Sequence, residues 1–248
     1  MRAAVFGGIA HGFFGRRGGV STGIVAGLNV GTGSGDDPDA VAENVRRAAM
    51  AVLPNADLAR VYQVHSADCV VAEPWPMDAR PRADALVTDR PGLLLGIVTA
   101  DCAPVLLGDS EARVVGAAHA GWRGAIEGVT DAAIEMMEKL GARRERIVAA
   151  VGPCIAQASY EVDEGFRERF VRNDPANDRF FAEGPAGKPH FDLAAFVVAR
   201  LVSAGVRRVE ALGADTYADP TRFYSFRRAT HLGQADYGRQ FSLIGLAP

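Results

Sequence analysis

The chain has 248 residues, 48% hydrophobic and 23% charged, with a formal net charge of −3. That balance excludes a disordered, collagen-like or coiled-coil protein and gives no general attraction to nucleic acid or anionic membrane. Thiol and imidazole chemistry must draw on three Cys and five His, and so sparse and odd a cysteine set points to a reducing compartment rather than a disulfide scaffold.

Ala3–Phe6 has strand composition and runs into HGFFGRRGG. There Arg16 and Arg17 stand where a signal peptide would need small residues for cleavage. The apolar run from Gly92 to Ala100 falls well short of the about 20 residues of a membrane span, so the expected location is cytoplasmic. Gly18-Gly19 marks a turn. A helix is expected after it, capped by Asp36 or Asp37, with Pro38 in its first turn and Val41, Val45, Ala49 and Val52 on one face. Pro54 ends it.

The middle reads as short strands at Arg60–Val64, Ala85–Thr88, Leu93–Thr99, Val105–Leu107 and Val114–Ala118. Several are apolar throughout, as strands covered on both faces are. Helical spacing of Ile126, Val129, Ala133, Met136, Met137 and Leu140 predicts a helix over Trp122–Leu140, closed by Gly141. Then come a strand at Ile147–Val151, a helix near Asp163–Val171, a polar loop, and a helix at Asp192–Ala204 closed by Gly205. Strands at Val209–Leu212, Phe223–Phe226 and Ser242–Leu246 finish the chain. Nothing divides it, so the expectation is one α/β (α+β) domain over residues 1–248, with mixed β-sheets layered on helices.

Three familiar motifs match in letters and fail in context. Gly19-Val20-Ser21-Thr22-Gly23 fits a hydrolase nucleophile elbow, yet no strand precedes it and no helix follows. Gly31-Thr32-Gly33-Ser34-Gly35 places Asp36 where a dinucleotide loop needs its third glycine, and carboxylates there compete with a pyrophosphate. Pro153-Cys154 is half of a zinc-deaminase signature, with Gln157 in place of the second cysteine.

One constellation survives. His65 closes RVYQVHS, Cys102 follows the strand LLLGIVTAD, and His119 lies in RVVGAAHAGWRG before a helix. All three fall at strand ends, where sites are held rigidly and open to solvent. Two imidazoles and a thiolate suit zinc with a fourth position left open, and they also suit copper. Cys69 and Cys154 fit packing instead. Arg123, at a helix start, is the first candidate for an anion contact, and Arg16-Arg17, Arg227-Arg228 and Arg239 are others. Trp122 fits a core position as well as a base-stacking one.

These residues carry a resemblance. HGFFGRRGGVSTG, LNVGTGSGDD, QVHSADCV, TADCAPVLL, AHAGWRGA, VGPCIAQASYEV and FYSFRR…YGRQFSLI resemble the laccase-domain family. That family is also named multicopper polyphenol oxidase, peptidoglycan editing factor and purine nucleoside phosphorylase. The resemblance runs from His11 to the C-terminus. It implies a cysteine-hydrolase-like α/β domain and metal ligands at His65, Cys102 and His119. It also implies phosphorolysis of adenosine, inosine, guanosine and methylthioadenosine, with adenosine deamination in the same site. The chain departs from the family at Asp215-Thr216, where a Cys-Thr pair is usual, and in the longer stretch ATHLGQAD before Gly238.

The expected partners are therefore a purine nucleoside and phosphate, with no nucleic acid and no membrane. Zinc is the expected cofactor, with copper as the alternative. Cys102, His119 and Asp101 are the expected catalytic residues, Asp101 as proton donor, and Arg123 and Arg16 the expected phosphate or ribose contacts. Two other readings compete: a copper-dependent polyphenol oxidase, and a cysteine hydrolase editing peptidoglycan precursors, with Cys102 as nucleophile and His119 as its base. A full multicopper oxidase is the least compatible, because five His without an H-x-H pair cannot fill both a blue-copper site and an oxygen-reducing cluster.

Overall fold

Short apolar runs rich in Val, Ala and Leu form strands because their side chains alternate between two covered faces. The computed structural model describes residues 1–248, the side chain of residue 186 excepted. Its first strands are β1 (Ala10–Phe13), β2 (Asp57–Arg60), β3 (Cys69–Val71), β4 (Ala85–Thr88), β5 (Leu93–Thr99) and β6 (Ala103–Asp109). The remaining six are β7 (Val114–Ala120), β8 (Val148–Val151), β9 (Phe181–Glu183), β10 (Pro189–Phe191), β11 (Arg208–Ala211) and β12 (Gln240–Gly245). The helices are α1 (Pro38–Val52), α2 (Trp122–Glu127), α3 (Val129–Lys139), α4 (Glu164–Asn173), α5 (Leu193–Ser203) and α6 (Phe226–His231).

A six-stranded mixed sheet runs β11-β8-β6-β7-β4-β3, and a four-stranded sheet runs β1-β12-β5-β2. β9 and β10 form a separate antiparallel pair. Within β4, Ala85 and Val87 face the helices while Leu86 faces the second sheet. Helices α2, α3, α4 and α5 cover the outer face of the larger sheet, around Val129, Met137, Phe170, Phe196 and Leu201. A second core fills the space between the sheets, and a third lies between the smaller sheet and α1. Leu86, Leu106 and Ile97 have no solvent exposure, and burying each contributes about 2 kcal/mol. The result is one mixed α/β domain of four layers, as expected.

The helix expected over Trp122–Leu140 is broken in two. Gly128 adopts a left-handed φ of 100°, its N–H closes α2 on the Gly124 carbonyl, and α3 starts afresh. The strand expected at Phe223–Phe226 does not form either. The backbone of Tyr224 is bound through both its N–H and its carbonyl by the Gln240 side chain, at 2.7 and 3.0 Å. Ser225 then accepts from the Arg228 N–H and caps α6. Near the N-terminus the expected strand Ala3–Phe6 is a 3₁₀ turn at Ala4–Phe6, and the strand comes later, as β1.

Asp109 locks the end of β6. Its buried carboxylate accepts from the amides of Glu111, Ala112 and Arg143, each at 3.0 Å, and from Arg146 Nε at 3.1 Å. Burial opposes its ionisation, but these donors outweigh it and hold the carboxyl below its ordinary value. Asp109→Ala leaves several donors unpaired and is expected to cost about 3 kcal/mol, read from the urea midpoint. A carboxyl depressed on folding contributes its stability above the unfolded value of about 4 and loses it as pH falls through the folded one. Asp109→Asn should therefore flatten the acid limb of the stability curve.

Candidate active site

The path of the chain between its two sheets builds the site. Between β2 and β3 the backbone leaves the smaller sheet for the larger one, and His65 lies on that crossing. Between β5 and β6 it crosses again, and Cys102 lies on the second crossing. His119 sits near the end of β7, opposite Pro104 of β6. The three sequence-predicted residues therefore meet at the seam of the sheets, and their donor atoms all lie within 4.8 Å of one another. Cys102 Sγ is 3.9 Å from His65 Nε2, and the two imidazole rings meet edge to face with centroids 4.8 Å apart.

Both turns are held in unusual backbone conformations. His65 has φ 62° and Asp101 has φ 85°, values that side-chain-bearing residues adopt only when their surroundings force them. For His65 the force is Asp84, which has no solvent exposure. One carboxylate oxygen accepts from the His65 N–H at 3.0 Å, and the other from the N–H groups of Val64 and Ser66 at 2.9 and 2.8 Å. The Asp84 Oδ1 atom also binds His119 Nδ1 at 2.7 Å. One buried carboxylate therefore shapes the His65 turn and orients the His119 ring. Burial raises the Asp84 carboxyl, but His119 and the amides of Ser66 and Val64 bring it below its ordinary value.

The electrostatics suit a metal ligand set. Burial works against the Cys102 thiolate, yet the charge and hydrogen bond of His119, and then those of His65, bring the thiol down to about 6. His119 rises in turn: burial opposes its charged form, while the thiolate of Cys102 and the carboxylate of Asp84 favour it. With Nδ1 tied to Asp84, His119 offers Nε2 as a donor, the carboxylate–histidine arrangement that orients metal-binding imidazoles. Two imidazole nitrogens and a ready thiolate fit a metal ion. The other cysteines behave otherwise: burial raises Cys69 to about 12 and raises Cys154 further.

Gly121 leaves room for the trio. A Cβ there would fall 2.8 Å from His65 Cδ2 and 3.1 Å from Cys102 Sγ, although its φ of −69° would accept any residue. Gly121→Ala is therefore expected to weaken metal binding by about tenfold or more through displaced ligands alone, measured by chelator competition. Gly124 follows the same logic, since a Cβ there would come 2.7 Å from the Ser66 carbonyl oxygen.

A cleft of about 570 Å³ opens above the trio. Its lining includes Tyr62, Phe226 and Tyr237 and the arginines Arg60, Arg80 and Arg239, and no carboxylate. Tyr62 and Phe226 are each 51% exposed, and the Phe226 and Tyr237 rings lie 5.0 Å apart. Phe226 opens α6 and Tyr237 follows the longer stretch noted in the sequence.

Other expected residues stand elsewhere. Arg16 donates to the carbonyls of Ala26 and Pro220, stacks 4.7 Å from the Tyr224 ring and is not among the residues that line the cleft. Arg123 is exposed, packs on Trp122 at 5.1 Å and is not among the residues that line the cleft. Trp122 itself packs on Phe166 and Phe170. The Asp101 carboxylate accepts from the hydroxyls of Thr216 and Ser225 at 2.6 and 2.9 Å and from the Arg227 N–H at 2.7 Å. It braces the Cys102 turn and is not among the residues that line the cleft. Burial raises its carboxyl despite those donors. Asp215, the residue that departs from the family pattern, braces the next loop by accepting from Ser159 Oγ at 2.6 Å. Ser21 is a loop residue bonded to Asp36 and Asn44.

Sequence reasoning missed Asp84, Arg60 and Arg80. An isolated acid ahead of the apolar run Ala85–Val87 is the one available signal for Asp84.

The chain is similar to known proteins in sequence and in fold. A Deinococcus radiodurans protein named purine nucleoside phosphorylase is 44% identical over 243 residues, covering 96% of this chain and 89% of its own length. A Streptomyces griseus protein of the same name is 44% identical over 209 residues, 83% and 84% of the two chains. Among solved structures, YlmD from Geobacillus stearothermophilus superposes with a TM-score of 0.88 at 28% identity, over 99% of this chain and 94% of its own. A Neisseria meningitidis protein gives 0.83 at 33%, over 97% and 93%. The family described as multi-copper polyphenol oxidoreductase laccase matches residues 10–247, and this chain belongs to it.

Proposed function

We propose that this chain is a zinc-dependent purine nucleoside phosphorylase, acting on adenosine, inosine, guanosine and methylthioadenosine, that also deaminates adenosine in the same site. The observation that carries the reading is one cleft combining the His65–Cys102–His119 donors, exposed aromatic rings and arginines without a carboxylate. The relatives named purine nucleoside phosphorylase support it. The mixed imidazole and thiolate set favours zinc, with copper as the alternative metal.

When bound, the metal supplies Lewis acidity, which helps the purine leave with charge or makes water a stronger nucleophile. The protein's own residues do the rest. Tyr62, Phe226 and Tyr237 offer faces on which a planar base stacks. Asp84 accepts the His119 Nδ1 proton and so fixes the ring with Nε2 free to hold a metal once its own proton is displaced. In phosphorolysis a phosphate oxygen bonds to C1′ while the bond from C1′ to the purine nitrogen breaks. The electron pair leaves on the base, which then takes up a proton. In deamination, water adds at C6 and ammonia departs.

Among the described residues a single group of three or more His, Cys, Asp or Glu donors converges in this way. That inventory supports one metal rather than the several of a multicopper oxidase. Incubation with adenosine, with and without phosphate, tests the reading. Adenine and ribose 1-phosphate should form only with phosphate, and inosine and ammonia should form without it. A copper-dependent preparation that oxidises phenols and releases neither base nor ammonia would overturn it.

A further inference from the structure

The cleft holds arginines whose charge no protein carboxylate answers. Arg60 ends β2, opposite Gly96 of β5, and only 5% of its surface is exposed. Its guanidinium stands 5.6 Å from the centre of the Phe241 ring, and its Nη1 is buried with no hydrogen-bond partner. Gly96 makes room for that ring, since a Cβ there would fall 2.6 Å from it.

Arg239 approaches from the segment before β12. Its N–H donates to Asn29 Oδ1 at 2.9 Å, and its carbonyl accepts from the Val30 N–H at 3.2 Å. The guanidinium stacks 4.5 Å from the Tyr237 ring, and its Nη1 is likewise buried and unpartnered. Its side chain presses so closely on Gly31 that a Cβ there would come 2.8 Å from Cδ and from Nη1. Arg80 is the third, its Nε held by the Met77 carbonyl at 2.7 Å. Burial first, and then the charge of Arg80, lower the Arg60 guanidinium to about 10, as expected where like charges are kept close without a counterion.

Unpartnered buried N–H groups are costly and rare, and two of them belong to arginines that line one cleft with no carboxylate among its lining residues, so the charge of that wall favours an anion. Guanidinium groups match the oxygens of phosphate in geometry as well as charge. We propose that Arg60 and Arg239, with Arg80 beside them, form the subsite for free phosphate, placing it in the same cleft as the His65–Cys102–His119 donors. The site itself follows from the arginines; only the role of the phosphate as co-substrate rests on the nucleoside reading above.

The test uses the full-length, metal-loaded protein and inorganic phosphate without nucleoside. Phosphate should raise the melting temperature of the wild type and bind measurably by calorimetry. Arg239→Gln should weaken that binding by about tenfold to a hundredfold, the loss expected for a charge-assisted contact. Arg80→Gln should weaken it less, and Arg123→Gln not at all. Arg60 is buried, so Arg60→Gln is read only if its own melting temperature shows it folded, and Arg239→Gln keeps the test decisive if it does not. No phosphate binding by the wild type, or unaltered binding by Arg239→Gln, overturns the subsite.

Adenosine monophosphate in a parallel titration separates free phosphate from the phosphate of a nucleotide. Binding of the nucleotide alone, lost in Arg239→Gln, overturns the assignment to free phosphate. Phosphate binding without any phosphorolysis would sink the nucleoside reading and leave the subsite standing. Phosphorolysis with an unchanged KM for phosphate in Arg239→Gln would do the reverse.

Discussion

Cys102→Ser is expected to lose both metal and turnover, with activity falling on the order of a thousandfold or more. A serine hydroxyl does not ionise near neutral pH, whereas the Cys102 thiol is held down at about 6 by the two histidines. The variant therefore removes the anionic ligand and leaves two neutral imidazoles, a poor set for zinc. Fold stability should change little, because Cys102 is half-buried on a turn and not part of a packed core. Metal analysis and turnover measured on one sample decide the matter. Loss of both supports the ligand role, while retained metal with lost activity would point to Cys102 as a nucleophile and to the hydrolase reading.

Asp84→Asn should be nearly as damaging, although the residue touches no substrate. The two carboxylate oxygens of Asp84 together receive the amides of Val64, His65 and Ser66 and the His119 Nδ1 proton. An asparagine has one acceptor oxygen, so its NH₂ group must face donors that have lost their partner. The His65 turn loses what holds its positive φ, and His119 loses what fixes its tautomer. Metal affinity should fall by about tenfold to a hundredfold, with about 3 kcal/mol lost in stability. Chelator competition and denaturant unfolding measure the two. Affinity within twofold of the wild type would remove Asp84 from the account.

The His65–Cys102–His119 group was legible in the sequence because imidazoles and thiols are scarce. Among five His and three Cys, those at strand ends were few enough to name, and HAGWRG and TADC mark two of the three. Asp84 was not legible, since one acid among 30 carries no local pattern and its hydrogen bonds reach residues 18 to 35 positions away. The arginines failed similarly. Arg123 stands out in the sequence for its place at a helix start, yet which arginine is buried without a partner depends on how β2, β5 and β12 stack. Secondary structure followed the same division. α1 was legible from its Asp37 cap and Pro38, and β4 and β5 from their apolar runs. The Gly128 break and the Tyr224–Gln240 pairing were not, because one depends on a single dihedral and the other on a side chain replacing a strand.

Asp84 has a consequence beyond catalysis. It holds His65 and His119 through contacts that need no ion, and the turn carrying Cys102 is braced separately by Asp101. The backbone of the site is thus braced by the protein's own carboxylates, unlike small zinc domains whose fold is made by their metal. Exchange of one divalent ion for another should therefore leave the architecture unchanged.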